Sequence, residues 1–324
     1  MWNNYPEILS ELNLIEEELR IKVLSRNRLL SEIVGELLNA GGKRLRPAFV
    51  VIAAKFGNYD SKKVIPVAGA LEILHTATLV HDDIIDKAKI RRGKQTISEK
   101  YGADLAVYAG DFLFAKSMMM LSRDISLDRL DGAASAIKII CEGEVDQYLD
   151  KFNANTSVYS YLKRISRKTA VLFAAACALG ANTSECPEDL AKKLSRFGFY
   201  YGIAFQIRDD INDFISSEEA QGKPVGKDLR EGILTLPAIL AAGRDSKVRE
   251  AVSLVFEKRN QFQLEDIRLA VELVREFKGI EDAGIVLEKY IDRGVKVLET
   301  LPPNPYIQLM KDLINSLKPV KAKL

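Results

Sequence analysis

The sequence predicts an all-α protein, and two observations carry that expectation. Apolar residues recur at helical spacing almost from end to end. Strand-like alternation bounded by turn residues is hard to find. Of the 324 residues, 47% are hydrophobic, ample for a large packed core. No Pro/Gly/Ser-rich linker divides the chain, so residues 1–324 are expected to form a single domain. The helices are too many for a four-helix bundle.

Each element has its own signal. Leu9, Leu12, Ile15 and Leu19 mark an amphipathic first helix, and Ile33, Val34, Leu37 and Leu38 a second, stopped by Gly41-Gly42. Residues 46–56 are apolar and end at Gly57-Asn58. Residues 64–86 read as a long apolar helix with acids at its end, followed by helices over 104–121 and 130–152. The helix over 159–179 is expected to end at Gly180. Pro187 opens the next, which runs toward a second group of acids. Segments 234–242, 248–256, 264–277 and 280–298 continue the pattern.

Composition excludes several classes. A net charge of +2 makes no case for nucleic acid or an acidic membrane surface. Cys141, Cys177 and Cys186 are widely spaced, lack a metal pattern and read as buried thiols in a reducing compartment. Residues 1–14 lack the apolar core of a signal peptide. The longest apolar stretch, Ala170 to Ala181, is too short to span a bilayer. The expectation is a soluble, cytoplasmic protein.

Two carboxylate clusters share one pattern, D-D-x-x-D: Asp82, Asp83 and Asp86, then Asp209, Asp210 and Asp213. On a helix, spacings of three and four place each trio on one face. Like charges there repel by a few tenths of a kcal/mol per pair, and burial raises the cost. One such motif is most simply a solvated acidic face. Two, both flanked by apolar residues, point to hard cations, and Mg²⁺ favours carboxylate oxygen, water and substrate phosphate.

Cations surround the acids. Gly41-Gly42-Lys43-Arg44-Leu45-Arg46-Pro47 combines a flexible turn, a helix start and three basic side chains, the parts of an anion site. His75 lies two helical turns before Asp82 on the same face. Arg91-Arg92-Gly93 follows the first motif by one short loop. Lys168-Thr169 enters an apolar run, where a lysine needs an anion or a path to water. Gln206 shares the face of Asp209, and Lys223 and Lys227 lie on the turn after the second motif. Taken singly, the glycine turn reads equally as a solvated loop, His75 more simply as a core histidine bonded to backbone, the arginine pair as a surface basic pair, and Lys223 and Lys227 as solvated loop cations.

In this order, GGKRLRP, LVHDDIID, RRG, GDFL, EGE, KT, FQIRDDIND and GKPVGKDL make the chain resemble the trans-polyprenyl diphosphate synthases of the farnesyl, geranylgeranyl and long-chain type, from about Gly41 to Pro237. The resemblance implies an isoprenoid synthase bundle of helices around a deep central cavity, usually a homodimer, with the two acidic motifs facing across its mouth. It implies that Asp82 and Asp86 hold two of three Mg²⁺ ions and Asp209 the third. It places Arg91, Lys168, Lys223 and Gln206 at the allylic diphosphate, and Lys43, Arg46, His75 and Arg92 at the diphosphate of isopentenyl diphosphate. Phe205 would lie beside the alkene, with Thr169 near the nascent cation. The pattern departs at one point: Ile233 stands where a diphosphate-binding lysine is expected, and Lys227 is the candidate substitute.

Positions preceding Asp82 lead inward, at about 1.5 Å per residue. Short-chain members commonly carry Phe or Tyr four or five positions back. Here Thr78 and Ala77 are small, with Leu74 one turn deeper and Ile137 a candidate floor. The expectation is a long product, near C30, from a farnesyl or geranylgeranyl starter. The alternatives are a geranylgeranyl diphosphate synthase and a non-catalytic regulatory subunit, although such subunits often lose acids and this chain keeps all six. A class I terpene cyclase normally replaces the second D-D-x-x-D with another triad. Transfer of a long product to a membrane, near the basic tail of Lys318, Lys321 and Lys323, is left open.

Overall fold

The computed structural model describes residues 2–39, 41–124, 127–215 and 225–318. Lys223 and the tail lysines Lys321 and Lys323 lie outside the described residues. The all-α expectation holds: among the described residues, β structure is confined to a two-residue antiparallel pair, β1 (Ile90–Arg91) and β2 (Lys94–Gln95), which the sequence pattern did not reveal.

The described residues fall into two compact units. The first runs to Ala134 and includes Ala175–Ser195; the second comprises Ser135–Ala174 and everything from Arg196 onward. In the first unit α1 (Pro6–Lys22) and α3 (Leu45–Ala54) pack on α4 (Ser61–Ile85), which also packs along α6 (Ala103–Asp124). Short α2 (Arg28–Asn39) and α5 (Ile97–Tyr101) complete a core of Ile33, Val80, Ile97, Ala106 and Ala109. Beyond Arg46, helix α3 is apolar on all faces and covered on all of them: Phe49, Val50, Val51 and Ile52 are all buried.

In the second unit, α8 (Val158–Ile165) passes into one widened, π-type turn (Ser166–Ala170) and then α9 (Val171–Thr183). Helices α7 (Leu127–Leu149), α9 and α10 (Glu188–Ile215) each carry residues of both units. A short α11 (Lys227–Arg230) precedes α12 (Leu236–Arg244), α13 (Ser246–Lys258), α14 (Leu264–Glu276), α15 (Gly279–Glu299) and α16 (Tyr306–Asn315). Within this unit α12 packs on α15 and α13 on α14, and α16 closes against α15.

Three expectations are corrected. Gly180 does not end a helix: α9 continues to Thr183, and the glycine serves close packing instead, since a Cβ there would lie 2.0 Å from the Val50 carbonyl oxygen. Cys177 is buried, but Cys141 is exposed and Cys186 half-buried. The apolar stretches are also longer than the raw runs suggested. Ser61–Ile85 and Ala103–Ser122 are both long and apolar enough to cross a membrane. The first is 72% buried, as a core helix would be, whereas only 39% of the second is buried.

Candidate active site

The first unit holds a cavity of about 480 Å³ beside the C-terminal half of α4. Its wall includes Gly41, Arg44, His75, Asp83, Arg91 and Arg92. The periodicity that puts Leu71 and Leu74 in the core turns Glu72, His75, Thr76, Leu79 and Asp83 to this side of α4.

The acids of this motif do not act alike. Asp83 is buried and accepts a 2.7 Å bond from Nε of Arg91 on β1. Asp82 and Asp86, four apart, remain half-buried at the helix end. His81 is steadied by Asp111, its Nε2 lying 3.3 Å from Oδ1. The tight β1–β2 turn therefore returns Arg91 to the middle aspartate. It also lets Arg92 donate to the Gly41 carbonyl from across the cavity rim.

Of the three cations in the glycine turn, Arg44 is committed to structure. Its guanidinium donates to Glu16 (2.7 Å), Glu72 (2.6 Å) and the Leu38 carbonyl (2.9 Å), tying α1, α2 and α4 together. Lys43 stays exposed. Arg46 donates from Nη1 to Nε2 of His75 at 2.9 Å. Since arginine only donates, that nitrogen must be the acceptor. Burial and the guanidiniums of Arg46, Arg92, Arg91 and Arg44 hold His75 well below the ordinary imidazole value, so it is neutral. The sequence reading missed Glu36, Lys94 and Lys100 on the cavity wall, where Lys100 pairs with Glu36 at 2.6 Å. They sit outside any motif and reach the cavity only through the fold.

The second unit gathers the other predicted residues. The widened turn carries Lys168 and Thr169, and α10 lies close against it. A Cβ at Gly202 would come within 2.5 Å of the Ala170 Cα. That approach brings the Thr169 hydroxyl within 2.8 Å of Oε1 of Gln206, one turn beyond the glycine. Lys168 finds the anion its apolar setting demands: Nζ lies 2.9 Å from Oε2 of Glu144 on α7. Phe205 is half-buried and packs with Phe173 and Tyr201 at centroid distances of 5.7 and 6.2 Å.

Here too the middle aspartate turns inward. Asp210 is 3% exposed and accepts from Nε2 of Gln206 (2.8 Å) and from the hydroxyl of Tyr161 (2.6 Å). Burial raises its carboxyl to about 7, against the pull of those two hydrogen bonds. Asp213 accepts from the backbone N–H of Lys227 (3.1 Å) and Asp228 (3.2 Å), so it caps the start of α11. Burial raises it as well. Asp209 remains exposed. The equal treatment of three acids on one face is thus corrected for both motifs, because a helix rotates 100° per residue and adjacent aspartates cannot share one environment.

Asp228 was not foreseen as part of this group. Burial, and then repulsion from Asp210, Asp213 and Glu231, push it well above the carboxylate range. The signal available was its place in GKDL, fifteen residues beyond Asp213. Lys227 is exposed, with Nζ 3.3 Å from Glu231, and Ile233 is half-buried. Ala77 and Leu74 are buried, Thr78 donates to the His75 carbonyl, and Ile137 is half-buried; none of them lines the 480 Å³ cavity.

Among the described residues no three acidic, cysteine or histidine side chains converge as a ready-made metal cage. The donor set nonetheless fits Mg²⁺, which keeps several waters and takes one or two carboxylates plus substrate phosphate. Carboxylates whose crowding raises one another's pKa are what such a cation relieves.

Comparison with known proteins agrees with this chemistry. The polyprenyl synthetase family model matches residues 27–274. Component 2 of the heptaprenyl diphosphate synthase of Geobacillus stearothermophilus is 40% identical over 309 residues, covering 95% of each chain. The crystal structure of heptaprenyl diphosphate synthase from Staphylococcus aureus superposes with a TM-score of 0.91 at 34% identity, over 96% of this chain and 98% of that one. A polyprenyl synthase from Caulobacter crescentus CB15, solved with calcium and isoprenyl diphosphate, gives 0.90 at 32% identity over 97% and 95%. The chain belongs to the polyprenyl synthetase family and is a prenyltransferase.

Proposed function

We propose that the chain condenses isopentenyl diphosphate with an allylic diphosphate, head to tail and trans, to give a polyprenyl diphosphate near C30 or longer. The observation that carries this reading is the 480 Å³ cavity, whose wall sets guanidiniums and a neutral histidine beside the first acidic motif. That lining suits a diphosphate ester and has no use for a neutral substrate. Asp82 and Asp86, and in the second motif Asp209, are the residues to hold Mg²⁺, which when bound would neutralise charge on a leaving diphosphate. Fixed cations then assist as charge develops during ionisation of the allylic C–O bond. The alkene of isopentenyl diphosphate attacks the allylic carbon, and loss of a proton to the released diphosphate restores a double bond.

Small Ala77 and Thr78, and relatives named for heptaprenyl products, support a long chain. The test is chromatography of products from radiolabelled isopentenyl diphosphate with farnesyl or geranylgeranyl diphosphate and Mg²⁺. Products longer than the starter by several units support the reading. A chain that consumes the allylic diphosphate but not isopentenyl diphosphate is a cyclase instead, and a single unit added to farnesyl diphosphate, with none added to geranylgeranyl diphosphate, returns the geranylgeranyl alternative.

Two readings of assembly follow. Helix α6 leaves Val107, Tyr108, Phe114 and Met119 exposed, and the first two recur with the others at helical spacing as one stripe. We take a second copy to cover it. Similarity to a protein named as one component of a synthase favours a heteromer instead. In that case the purified chain is inactive alone and gains turnover on addition of its partner. We place the protein in the cytoplasm on the sequence expectation, with a fractionation experiment as its check.

A further inference from the structure

One polar residue of the second unit belongs to no motif that pointed to function. Tyr161 on α8 has no exposed surface, and its hydroxyl donates to Oδ2 of Asp210 at 2.6 Å. A buried tyrosine needs some acceptor, and a backbone carbonyl would serve. Here the acceptor is a buried carboxylate one residue beyond a candidate metal ligand.

The bond is the first of a chain. Oδ1 of Asp210 accepts from Nε2 of Gln206 at 2.8 Å, and Oε1 of Gln206 accepts from the hydroxyl of Thr169 at 2.8 Å. The direction of each bond fixes the next. Asp210 takes the amide nitrogen of Gln206 at Oδ1 and the Tyr161 hydroxyl at Oδ2, so the amide oxygen faces Thr169. Thr169 must then give its proton to Gln206, which leaves its own lone pairs for whatever lies beside the widened turn. An oxygen presented by its lone pairs suits an allylic group becoming cationic; one presented by its proton opposes it.

We propose that Tyr161 is a positioning residue: through Asp210 and Gln206 it fixes the direction in which Thr169 presents its oxygen to the reacting allylic group. Without the Tyr161 hydroxyl, Asp210 loses the bond that holds its Oδ2 and can rotate Oδ1 away from Gln206. A carboxylate turned away no longer accepts from the Gln206 amide nitrogen, so neither the amide orientation nor the Thr169 polarity stays fixed. The inference rests on the prenyl-transfer reading, and the experiment separates the two.

The test is a double-mutant cycle on the whole chain, with its partner subunit if one is required. Tyr161→Phe removes one oxygen and keeps the ring. It is expected to lower kcat about ten- to a hundredfold while leaving KM for isopentenyl diphosphate unchanged. In a Thr169→Val background the same change should cost nothing further, because the group it acts through is already gone. Thr169→Ser keeps the hydroxyl and should keep the full Tyr161→Phe effect. If Tyr161→Phe does not fold, Gln206→Met breaks the chain one bond later and enters the same cycle. Losses that multiply in the double variant, or a lower melting temperature with unchanged kcat, overturn the inference and leave prenyl transfer intact. An unaltered chain with no turnover under any of these conditions overturns both.

Discussion

Single residues divide sharply by what they touch. Asp82 is half-buried at the end of α4, whereas Asp83 is held by Arg91. Asp82→Ala should therefore cut turnover by orders of magnitude while the circular dichroism spectrum and melting temperature stay near normal; near-normal activity would remove the metal argument. Lys227 is exposed, and its pairing with Glu231 is the kind of surface ion pair worth at most about 1 kcal/mol, so a diphosphate can take the lysine away. Lys227→Ala should raise KM for the allylic substrate, and an unchanged KM returns Ile233 to the status of an uncompensated loss. His75 makes a pH prediction. Its imidazole is neutral in the folded chain but protonates near the ordinary 6.5 in the unfolded one. The unfolded state thus binds more protons below that value. Its influence is absent above about pH 6.5, and stability declines as pH falls from there toward the lower folded-state value. Urea midpoints across this range should fall in wild type and fall less in His75→Gln.

At the scale of elements, close approach decides the site. Helix α10 reaches the widened turn because Gly202 has no side chain, and the neighbour in the way is the Ala170 backbone, which cannot swing aside. Gly202→Ala gains helix propensity of up to about 1 kcal/mol, but overpacking costs about 1–3 kcal/mol, so the clash wins. The expected result is a lower melting temperature together with a fall in kcat, since the shift separates Thr169 from Gln206. Helix α4 offers a second element-scale test. Ala77 is buried on a helix packed against α6, which is compatible either with a prenyl tunnel or with plain helix packing. Ala77→Phe should shorten the product. Unchanged product length with lost stability would assign Ala77 to packing alone.

For the whole molecule, the exposed stripe on α6 bears on assembly. Tyr108→Glu with Phe114→Glu should shift the light-scattering mass of a self-associating chain to that of a monomer; an unchanged mass places the interface elsewhere. The all-α class, the long helices and the family were legible in the sequence, because helical periodicity and the spacing of charged motifs are local properties of the chain; the short α5 and α11 and the last helix, α16, were not. Which aspartate of each trio turns inward, the commitment of Arg44 to structure, the reach of Asp228 to the second motif and the packing role of Gly180 were not. Those depend on what lies opposite each side chain in space: Arg91 opposite Asp83, Tyr161 opposite Asp210 and Val50 opposite Gly180 are 8, 49 and 130 residues apart. Spacing along one helix says which residues share a face; only the packed neighbour decides whether that face meets a donor, a backbone or water.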